Sequence, residues 1–293
     1  MTARPCIFGE VLFDHFPDGR RVLGGAPFNV AWHLQAFGAA PWMISRVGAD
    51  DDGAAVQDAM SEWGMDKTGL ATDPSLPTGQ VRVRIEQNEP TYDIVHPAAW
   101  DKIKTPVRLP EFTLLYHGSL ALRSAQSRSS CQELREAAAG KATIFVDVNL
   151  RSPWWSRAEV LDSLNGAHWV KLNGEELDLL TPGDGGHEHR AGALLNQLGL
   201  KGLLLTRGSR GALLLTADGG QWSTRPQAGI EVTDTVGAGD AMASVMILGI
   251  LNGWDPQTSL DRAQSLASAI VARRGATVRD PAFYRRFIRD WPF

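Results

Sequence analysis

The stretch Thr143-Ile-Phe-Val-Asp147 carries large apolar side chains at consecutive positions, and Leu203-Leu-Leu205 repeats this pattern. A strand with one exposed face alternates apolar and polar residues, whereas a strand covered on both faces is apolar at successive positions. These two runs therefore predict buried strands of a parallel sheet with helices packed against both of its faces.

Strand patterns and helical patterns alternate on either side of these runs. This order predicts an α/β fold with a doubly wound, mainly parallel sheet, in which binding sites lie at the carboxyl ends of the strands. The predicted strands span residues 6–13, 42–47, 81–85, 113–118, 143–149, 169–172, 202–206 and 212–216. The predicted helices span residues 28–37, 54–63, 125–139, 190–198, 238–251 and 258–273.

Two segments, residues 13–23 and residues 78–97, interrupt this alternation. The first has the turn signal Pro17-Asp18-Gly19 between extended stretches, and the second has the alternating run Val81-Arg-Val-Arg-Ile85 followed by a turn at residues 88–90. Both patterns predict hairpin strands with one polar face. A small accessory sheet and edge strands of the main sheet fit these patterns equally well.

Composition and charge are those of an ordinary globular protein, because 43% of the 293 residues are hydrophobic and 21% are charged. We find no linker and expect one domain over residues 1–293. The net charge is −4 and the basic residues are scattered, which argues against a nucleic-acid partner. No apolar run approaches the about 18 residues of a membrane span, and the N-terminus lacks a signal-peptide pattern, so we expect a cytoplasmic protein with no membrane partner.

The glycine-rich stretch Asp234-Thr-Val-Gly-Ala-Gly-Asp240 precedes a long apolar helical pattern. Glycine permits close approach of a ligand, and the free N–H groups at a helix start attract an anion. Gly237, Ala238 and Gly239 are therefore predicted to form a cradle for a transferring phosphoryl group. Asp240 within this cradle fits a base that takes the proton of an attacking hydroxyl. An acid that only complements the helix dipole is the alternative.

Polar clusters follow three of the predicted strands, and they are Asp147-Val-Asn-Leu-Arg151, Lys171-Leu-Asn-Gly-Glu-Glu176 and Thr206-Arg-Gly-Ser-Arg-Gly211. Because the carboxyl ends of parallel strands meet at one edge of a sheet, we expect these clusters to line a crevice. Helix capping is a serious alternative for Asn173 and Glu176, since an N-cap Asn with Glu three residues later forms a capping box.

Near the N-terminus, Gly24-Gly-Ala-Pro-Phe-Asn29 leads into the first predicted helix. Gly24 and Gly25 suit a tight turn against a ligand, and Asn29 is able to bond hydroxyl groups. Asp14 follows the first strand, where it could accept hydrogen bonds from a sugar. A plain turn with Pro in the first helical turn, and an exposed acid, are the alternatives.

The motifs of three common classes of nucleotide enzyme are missing from the sequence. There is no GxxxxGK[ST] motif, no HRD or DFG motif, and no GxGxxG motif after the first strand. The chain is therefore not a P-loop enzyme, a protein kinase or a dinucleotide-binding oxidoreductase.

The order and spacing of these motifs resemble those of the PfkB-type, ribokinase-like carbohydrate kinases over the whole chain. The motifs are Gly24-Gly-Ala-Pro-Phe-Asn-Val-Ala31, Val47-Gly-Ala-Asp-Asp-Asp-Gly53, Asn173 with Glu176, Thr206-Arg-Gly-Ser-Arg-Gly211 and Asp234-Thr-Val-Gly-Ala-Gly-Asp-Ala241. The resemblance implies a Rossmann-like domain, a small β-sheet lid formed by residues 13–23 and 78–97, and an ATP-dependent sugar kinase. The first motif and Asp147-Val-Asn-Leu-Arg151 look most like those of bacterial fructokinases, which implies fructose as the acceptor.

The resemblance also implies a role for each motif. Asp240 would be the catalytic base, and the N–H groups of residues 237–239 would form the anion hole for the γ-phosphate. Mg²⁺ would be held through water by Asn173 and Glu176, and a monovalent cation such as K⁺ would lie near Asp234 and residues 272–275. The implied nucleotide-binding residues are Asn173, Thr206, Gly208 and Gly211. The implied sugar-binding residues are Asp14, Gly24, Gly25, Asn29, Tyr92 from the lid, and Arg151.

Several alternatives stay open within and beyond this resemblance. Phe28 stands where many fructokinases carry a small residue, so it is expected to narrow or shift the sugar pocket. Arg151 as a carboxylate partner favours an acidic acceptor such as 2-keto-3-deoxygluconate, and ribose or a nucleoside is a further alternative. The chain could also be a non-catalytic sugar- or nucleotide-binding regulator, or a vitamin kinase of the same superfamily. Relatives often dimerise through the lid sheet, which implies a homodimer.

Overall fold

The computed structural model describes residues 4–86 and 89–291. Its strands are β1 (Pro5–Phe8), β2 (Leu12–His15), β3 (Arg21–Gly24), β4 (Trp42–Gly48), β5 (Leu70–Asp73), β6 (Gly79–Glu86), β7 (Glu89–Ile94), β8 (Leu114–Gly118), β9 (Thr143–Asp147), β10 (Trp169–Asn173), β11 (Gly202–Thr206), β12 (Ala212–Thr216) and β13 (Gln221–Thr224). Its helices are α1 (Ala26–Ala36), α2 (Asp51–Glu62), α3 (Ala125–Ala138), α4 (Arg157–Leu164), α5 (Gly174–Leu180), α6 (His187–Leu198), α7 (Ala238–Asn252), α8 (Pro256–Val271) and α9 (Pro281–Asp290).

The larger sheet has nine strands in the order β13-β12-β11-β10-β9-β8-β1-β4-β5. Neighbouring strands are parallel from β11 through to β5, and the antiparallel pairs are β11 with β12 and β12 with β13. The predicted α/β fold with a doubly wound, mainly parallel sheet is therefore confirmed. The carboxyl ends of β1, β8, β9, β10 and β11 consequently open toward one edge of the sheet.

Two hydrophobic cores cover the two faces of this sheet. Leu204 belongs to the core that includes α1, α7 and α8, whereas Leu203 and Leu205 belong to the core that includes α3, α4 and α6. Because both faces are covered by helices, neither parity of the strand can carry a polar residue without burying it. This explains why the runs at residues 143–147 and 203–205 are apolar at successive positions.

A second, four-stranded sheet has the order β3-β2-β6-β7. Strands β2 and β6 are parallel, and the other two pairs are antiparallel. The segments predicted around residues 13–23 and 78–97 therefore form an accessory sheet and not edge strands of the larger one. The turn predicted at residues 88–90 includes residue 88, which lies outside the described residues.

The single first strand predicted at residues 6–13 is wrong, because the chain leaves the larger sheet at Gly9 and enters the second sheet at Leu12. Gly9 has a φ of 150°, and a Cβ at this position would lie 2.4 Å from Cγ of Pro27. Only glycine leaves room for the start of α1 here. The apolar run thus contributes one strand to each of the two sheets, and Glu10 lies between these strands.

Two acids at the start of α2 connect this helix to the second sheet and to the residue that precedes β6. Asp50 caps α2 by accepting from the Gly53 N–H at 2.8 Å, and it also accepts from the N–H and hydroxyl of Thr78 at 2.8 and 2.6 Å. Asp52, which is buried, contacts three strands of the second sheet through His15 on β2, Arg21 on β3 and Gln80 on β6. The acidic motif at residues 50–52 therefore has a structural role.

Several elements escaped the sequence patterns, namely α4, α5, α9, β5 and β13. Strands β5 and β13 and helices α4 and α5 are short, with four to eight residues each. Helix α9 was missed although its buried residues Phe283, Tyr284 and Phe287 recur at helical spacing. The part of the chain that the structure describes contains no helix long and apolar enough to cross a lipid bilayer.

Candidate active site

The glycine-rich stretch forms the start of α7. Gly237 is the N-cap, with a left-handed φ of 82°, and residues 238–240 make the first turn. A Cβ at Gly237 would lie 2.4 Å from Cα of Ala276, so the tight packing there excludes any side chain. The first N–H groups of a helix have no partner within the helix, so this turn presents donors to an incoming anion.

Asp240 is half-buried in this first turn and is held by a residue far away in the sequence. Asn29, which is buried on α1, donates a hydrogen bond from Nδ2 to Oδ2 of Asp240 at 2.8 Å. Burial and the negative charge of Asp147 raise the pKa of Asp240 to about 6, against the opposing influence of Lys171, Asn29 and Arg151. A carboxylate with this pKa is deprotonated at neutral pH and basic enough to accept a proton.

Asp14 approaches the same region from β2. It is half-buried, and a Cβ at Gly24 on β3 would lie 3.8 Å from its Oδ2 atom. Burial raises the pKa of Asp14 to about 6, with His15 and Arg151 opposing the rise and Asp234 adding to it. Gly25 is the N-cap of α1, and a Cβ there would lie 2.6 Å from the backbone oxygen of Glu10.

Arg151 is exposed in the loop after β9. Its positive charge lowers the pKa of Glu10, Asp14 and Asp240 relative to what burial alone would give. Because such influence weakens with distance, the guanidinium lies within electrostatic range of all three carboxyls. Arg151 therefore lies near Asp14 and Asp240, and its contact with a sugar stays a prediction.

Asn173 and Glu176 form a complete capping box at the start of α5. The N–H of Glu176 donates to Oδ1 of Asn173 at 2.9 Å, and the N–H of Asn173 donates to Oε2 of Glu176 at 2.8 Å. Oε1 of Glu176 accepts a further bond from the N–H of Leu150 at 3.2 Å. Glu176 is buried, and this burial raises its pKa. The capping alternative is thus realised, and it fixes the loop after β9 against α5.

The predicted nucleotide loop joins β11 to β12. Thr206 ends β11, and residues 208–210 form one short 3-10 turn. Gly208 is exposed with a φ of 56°, and a Cβ there would meet no atom within 4 Å. Gly211 is buried, and its Cβ would lie 1.9 Å from the backbone oxygen of Thr224. The glycine at residue 211 is therefore required by strand packing, whatever it contributes to a ligand.

Asp234 ties the glycine-rich stretch to residue 275. Its Oδ1 accepts from the N–H of Val236 at 3.0 Å, and its Oδ2 accepts from the N–H of Gly275 at 3.0 Å. The two segments predicted to flank a monovalent cation are thus neighbours. Within residues 4–86 and 89–291, no three His, Cys, Asp or Glu side chains are grouped to hold a metal ion.

Tyr92 and Phe28, the two aromatic residues expected near the sugar, both lie apart from the group around Asp240. Tyr92 is 61% exposed on the edge strand β7, so it is not packed into the group around Asp240. Phe28 is fully buried and packs against Trp32, with a distance of 5.8 Å between the ring centroids. The expectation that Phe28 narrows the sugar pocket is therefore wrong, because its ring fills the core beneath α1.

Four buried polar residues near Asp240 received no individual role from the sequence: Glu10, Tyr116, Asp147 and Lys171. Asp147 and Lys171 were predicted only as members of the clusters that line the crevice. Glu10 is 1% exposed and its Oε2 atom has no hydrogen-bond partner. Burial and the charge of Asp240 raise its pKa to about 7, while its own backbone N–H, Arg123 and Arg151 oppose the rise. The available signal was a charged residue inside or ending an apolar strand run, which is costly unless it is paired or functional.

Comparison with known proteins identifies the family. The model of the pfkB family carbohydrate kinases matches residues 8–282. The chain belongs to this family. The predictions of a PfkB-type kinase and of a ribokinase-like fold are therefore confirmed.

Relatives of this PfkB kinase include enzymes with different acceptors. It is 29% identical over 299 residues to aminoimidazole riboside kinase of Salmonella typhimurium, a match that covers 94% of this chain and 91% of that one. It is 32% identical over 287 residues to a fructokinase of Klebsiella pneumoniae, with 92% and 91% covered. A double mutant of the fructokinase from Vibrio cholerae, in its fructose, ADP and potassium ion bound form, superposes with a TM-score of 0.83 at 26% identity and covers 97% of this chain and 98% of that one. Membership of the PfkB family thus defines the reaction as phosphorylation of a sugar. It does not define which sugar is the acceptor, because the relatives differ in this respect.

Proposed function

We propose that this PfkB kinase transfers the γ-phosphate of ATP to a hydroxyl of fructose, with Asp240 as the catalytic base. The observation that carries the proposal is the first turn of α7, where a carboxylate held by Asn29 lies at a helix start whose first N–H groups have no partner within the helix. An acid in an anion-attracting turn does not help to bind phosphate, but it does help to deprotonate an attacking hydroxyl. The pKa of about 6 keeps Asp240 in its basic form at neutral pH.

The remaining site residues have proposed roles in binding. The N–H groups of residues 237–239 receive the γ-phosphate and its developing charge, as an anion hole does. The sugar is held by Asp14, Gly24, Gly25, Asn29 and Arg151, with Tyr92 added from the second sheet. The nucleotide is held by Asn173, Thr206, Gly208 and Gly211.

Two cations are proposed to accompany the nucleotide. The amide of Asn173 and the carboxylate of Glu176 are hard oxygen donors, and because both are engaged in the capping box they suit a hydrated Mg²⁺ met through water. Asp234, which is bonded to Gly275, and the backbone of residues 272–275 suit a monovalent cation such as K⁺. When bound, these cations offset the negative charge of the phosphates.

The charges around Asp240 favour a neutral acceptor over an acidic sugar. Glu10, Asp14 and Asp240 are three acids within electrostatic range of Arg151. The negative charges of Asp14 and Asp240 in this region repel a further carboxylate, which disfavours 2-keto-3-deoxygluconate as the acceptor. The fructose-bound Vibrio cholerae enzyme and the Klebsiella pneumoniae relative support fructose. A ribosyl acceptor is the second candidate, which the aminoimidazole riboside kinase supports.

Coupled assays of ADP release test the acceptor. We expect the highest kcat/KM with fructose when MgATP is saturating and fructose, ribose, a ribonucleoside and 2-keto-3-deoxygluconate are compared. A clear preference for ribose or the ribonucleoside would replace fructose as the proposed acceptor and would leave the role of Asp240 as the base unchanged. A preference for the acidic sugar would contradict the charge argument, and Arg151→Gln should then abolish that preference.

The second sheet is proposed to act as a lid over the sugar. Asp52 joins three of its strands to α2 through His15, Arg21 and Gln80. We expect Asp52→Ala to loosen the sheet, to raise KM for the sugar roughly tenfold and to increase ATP hydrolysis in the absence of transfer, because an open lid admits water. Sugar-dependent ADP release and free phosphate, measured in parallel, report both effects.

Asp51→Ala is the matched control for this prediction. Asp51 is the exposed neighbour of Asp52 in the first turn of α2, so its removal costs the same favourable interaction with the helix dipole. We expect the Asp51 variant to keep the wild-type KM. Equal values of KM in the two variants would show that the contacts of Asp52 do not control the lid.

Two properties of the whole protein are also proposed from the resemblance. The exposed residues 91–93 of the edge strand β7 offer a surface through which two copies could pair their second sheets. We propose that the protein acts in the cytoplasm as a homodimer of this kind. Light scattering of the purified protein would detect the homodimer as twice the chain mass.

A further inference from the structure

A buried ion pair lies at the carboxyl ends of β9 and β10. Lys171 and Asp147 are directly opposite each other across the two parallel strands, and Nζ of Lys171 lies 2.6 Å from Oδ1 of Asp147. Their side chains are 8% and 4% exposed. Oδ2 of Asp147 accepts a further hydrogen bond from the hydroxyl of Tyr116 on β8 at 3.1 Å. The carboxylate is therefore fixed from two sides, and it fixes the ammonium group.

Lys171 reaches from this pair to the first turn of α7. A Cβ at Gly239 would lie 3.3 Å from Nζ and 3.6 Å from Cε of Lys171. The ammonium group thus lies against the backbone of the phosphate cradle. Its buried ion pair with the carboxylate of Asp147 favours the charged form of this group.

A purely structural role explains this placement poorly. The start of a helix is already positive, so a second positive charge there opposes the helix dipole. Burial of an ion pair is itself costly, and an apolar pair of the same volume is often as stable. Both costs are offset when an anion arrives at the same point, because the helix start and the ammonium group then act on it together.

The pair also faces the proposed base. The negative charge of Asp147 raises the pKa of Asp240, and the positive charge of Lys171 lowers it. The other groups that influence Asp240 are Asn29 on α1 through its hydrogen bond, Arg151 in the loop after β9, Glu10 after β1 and the hydroxyl of Tyr116 on β8. Asp147 and Lys171 lie on adjacent strands and act on Asp240 in opposite directions.

We infer that Asp147 and Lys171 are positioning residues for phosphoryl transfer. Lys171 supplies a fixed positive charge behind the phosphate cradle, and the pair sets the pH at which Asp240 begins to accept the proton of the sugar hydroxyl. The inference rests on the proposed function and extends it to two residues that have no proposed contact with the sugar.

The pH profiles of two variants test the inference. In Asp147→Asn the amide can still accept from Lys171, the ammonium charge remains, and the acidic limb of kcat/KM should move to lower pH. In Lys171→Met that charge is gone, so the limb should lie at higher pH than in Asp147→Asn by about one unit. Lys171→Met should also lose about 10²-fold in kcat at its own optimum, because the positive charge behind the cradle is lost. Identical limbs in the two variants, or a wild-type kcat in Lys171→Met, would overturn the inference.

The double variant Asp147→Asn with Lys171→Met covers the case in which Lys171→Met alone does not fold. It leaves no unpaired buried charge, and we expect it to show the same loss of kcat as Lys171→Met. A double variant with wild-type kcat would refute the role of the ammonium charge. If the wild-type protein transferred no phosphate to any sugar, both the proposed function and this inference would be refuted. If the wild type is active but the variants do not show the expected changes in kcat and pH profile, only the inference is refuted.

Discussion

Asp240→Asn is expected to reduce kcat for fructose phosphorylation by about 10²–10⁴-fold or more while it leaves the fold and the binding of both substrates intact. An amide at this position can still accept the hydrogen bond that Asn29 donates, so the first turn of α7 keeps its geometry. An amide cannot take a proton from the sugar hydroxyl. Steady-state rates of ADP release, together with thermal unfolding, would measure the loss and show that the variant is folded.

The control for this variant is Asp261→Asn, the same chemical change on the exposed face of α8. This control should keep wild-type turnover. The kcat/KM of the wild type should fall as the pH drops below about 6, because protonated Asp240 is no longer a base. An Asp240→Asn variant with near-wild-type turnover would exclude Asp240 as the base.

Gly237→Ala is expected to cause the second-largest loss, at least about 10²-fold in turnover, because it displaces the whole anion hole. Its Cβ would lie 2.4 Å from both Cα and Cβ of Ala276, a distance that forces the start of α7 to move. The left-handed φ of 82° adds backbone strain of about 1–3 kcal/mol for a residue with a side chain. Turnover and the free energy of unfolding should therefore fall together.

Gly229→Ala separates the effect of backbone strain from the effect of the contact with Ala276. Gly229 has a similar φ of 79°, but a Cβ there would meet no atom within 4 Å. The Gly229 variant should lose only the stability that the backbone strain costs and should keep its turnover. If Gly237→Ala resembled Gly229→Ala in turnover, contact with Ala276 would not be what positions the cradle.

The motifs of the active site could be predicted from the sequence because each is local. The first turn of α7 needs glycine and an early acid within seven consecutive residues, and that pattern is visible without a structure. The link between Asn29 and Asp240 could not be predicted, since 211 positions separate them and only the packing of α1 beside α7 brings them together. The residues were identified separately, and the structure supplied the contact.

The pair formed by Asp147 and Lys171 was missed for a related reason. Each residue was visible at the end of a predicted strand, but their contact depends on the register between β9 and β10. Alternation of apolar and polar residues fixes the register of a strand with one buried face, but β9 and β10 are covered on both faces, so their apolar runs do not distinguish one register from the next. Phe28 shows the converse error, because a position next to a ligand motif suggested a pocket residue and the helix turned its ring into the core.

Some residues of the predicted site are accounted for without a ligand. The capping box of Asn173 and Glu176 stabilises the start of α5, and Gly211 is required by its contact with the backbone of Thr224. These structural roles do not conflict with binding, since a nucleotide site built on fixed strand ends and helix caps is already organised for its ligand. They do mean that substitution at these positions changes stability as well as activity.

Phosphorus NMR of the wild-type protein with MgATP, in the presence and absence of fructose, tests the central claim most directly. The account predicts that the γ-phosphate signal of ATP is replaced by that of a sugar phosphate only when fructose is present, and that Asp240→Asn yields no such product over the same time. Release of inorganic phosphate at the same rate with and without sugar, or sugar phosphate formed equally by Asp240→Asn, would contradict it.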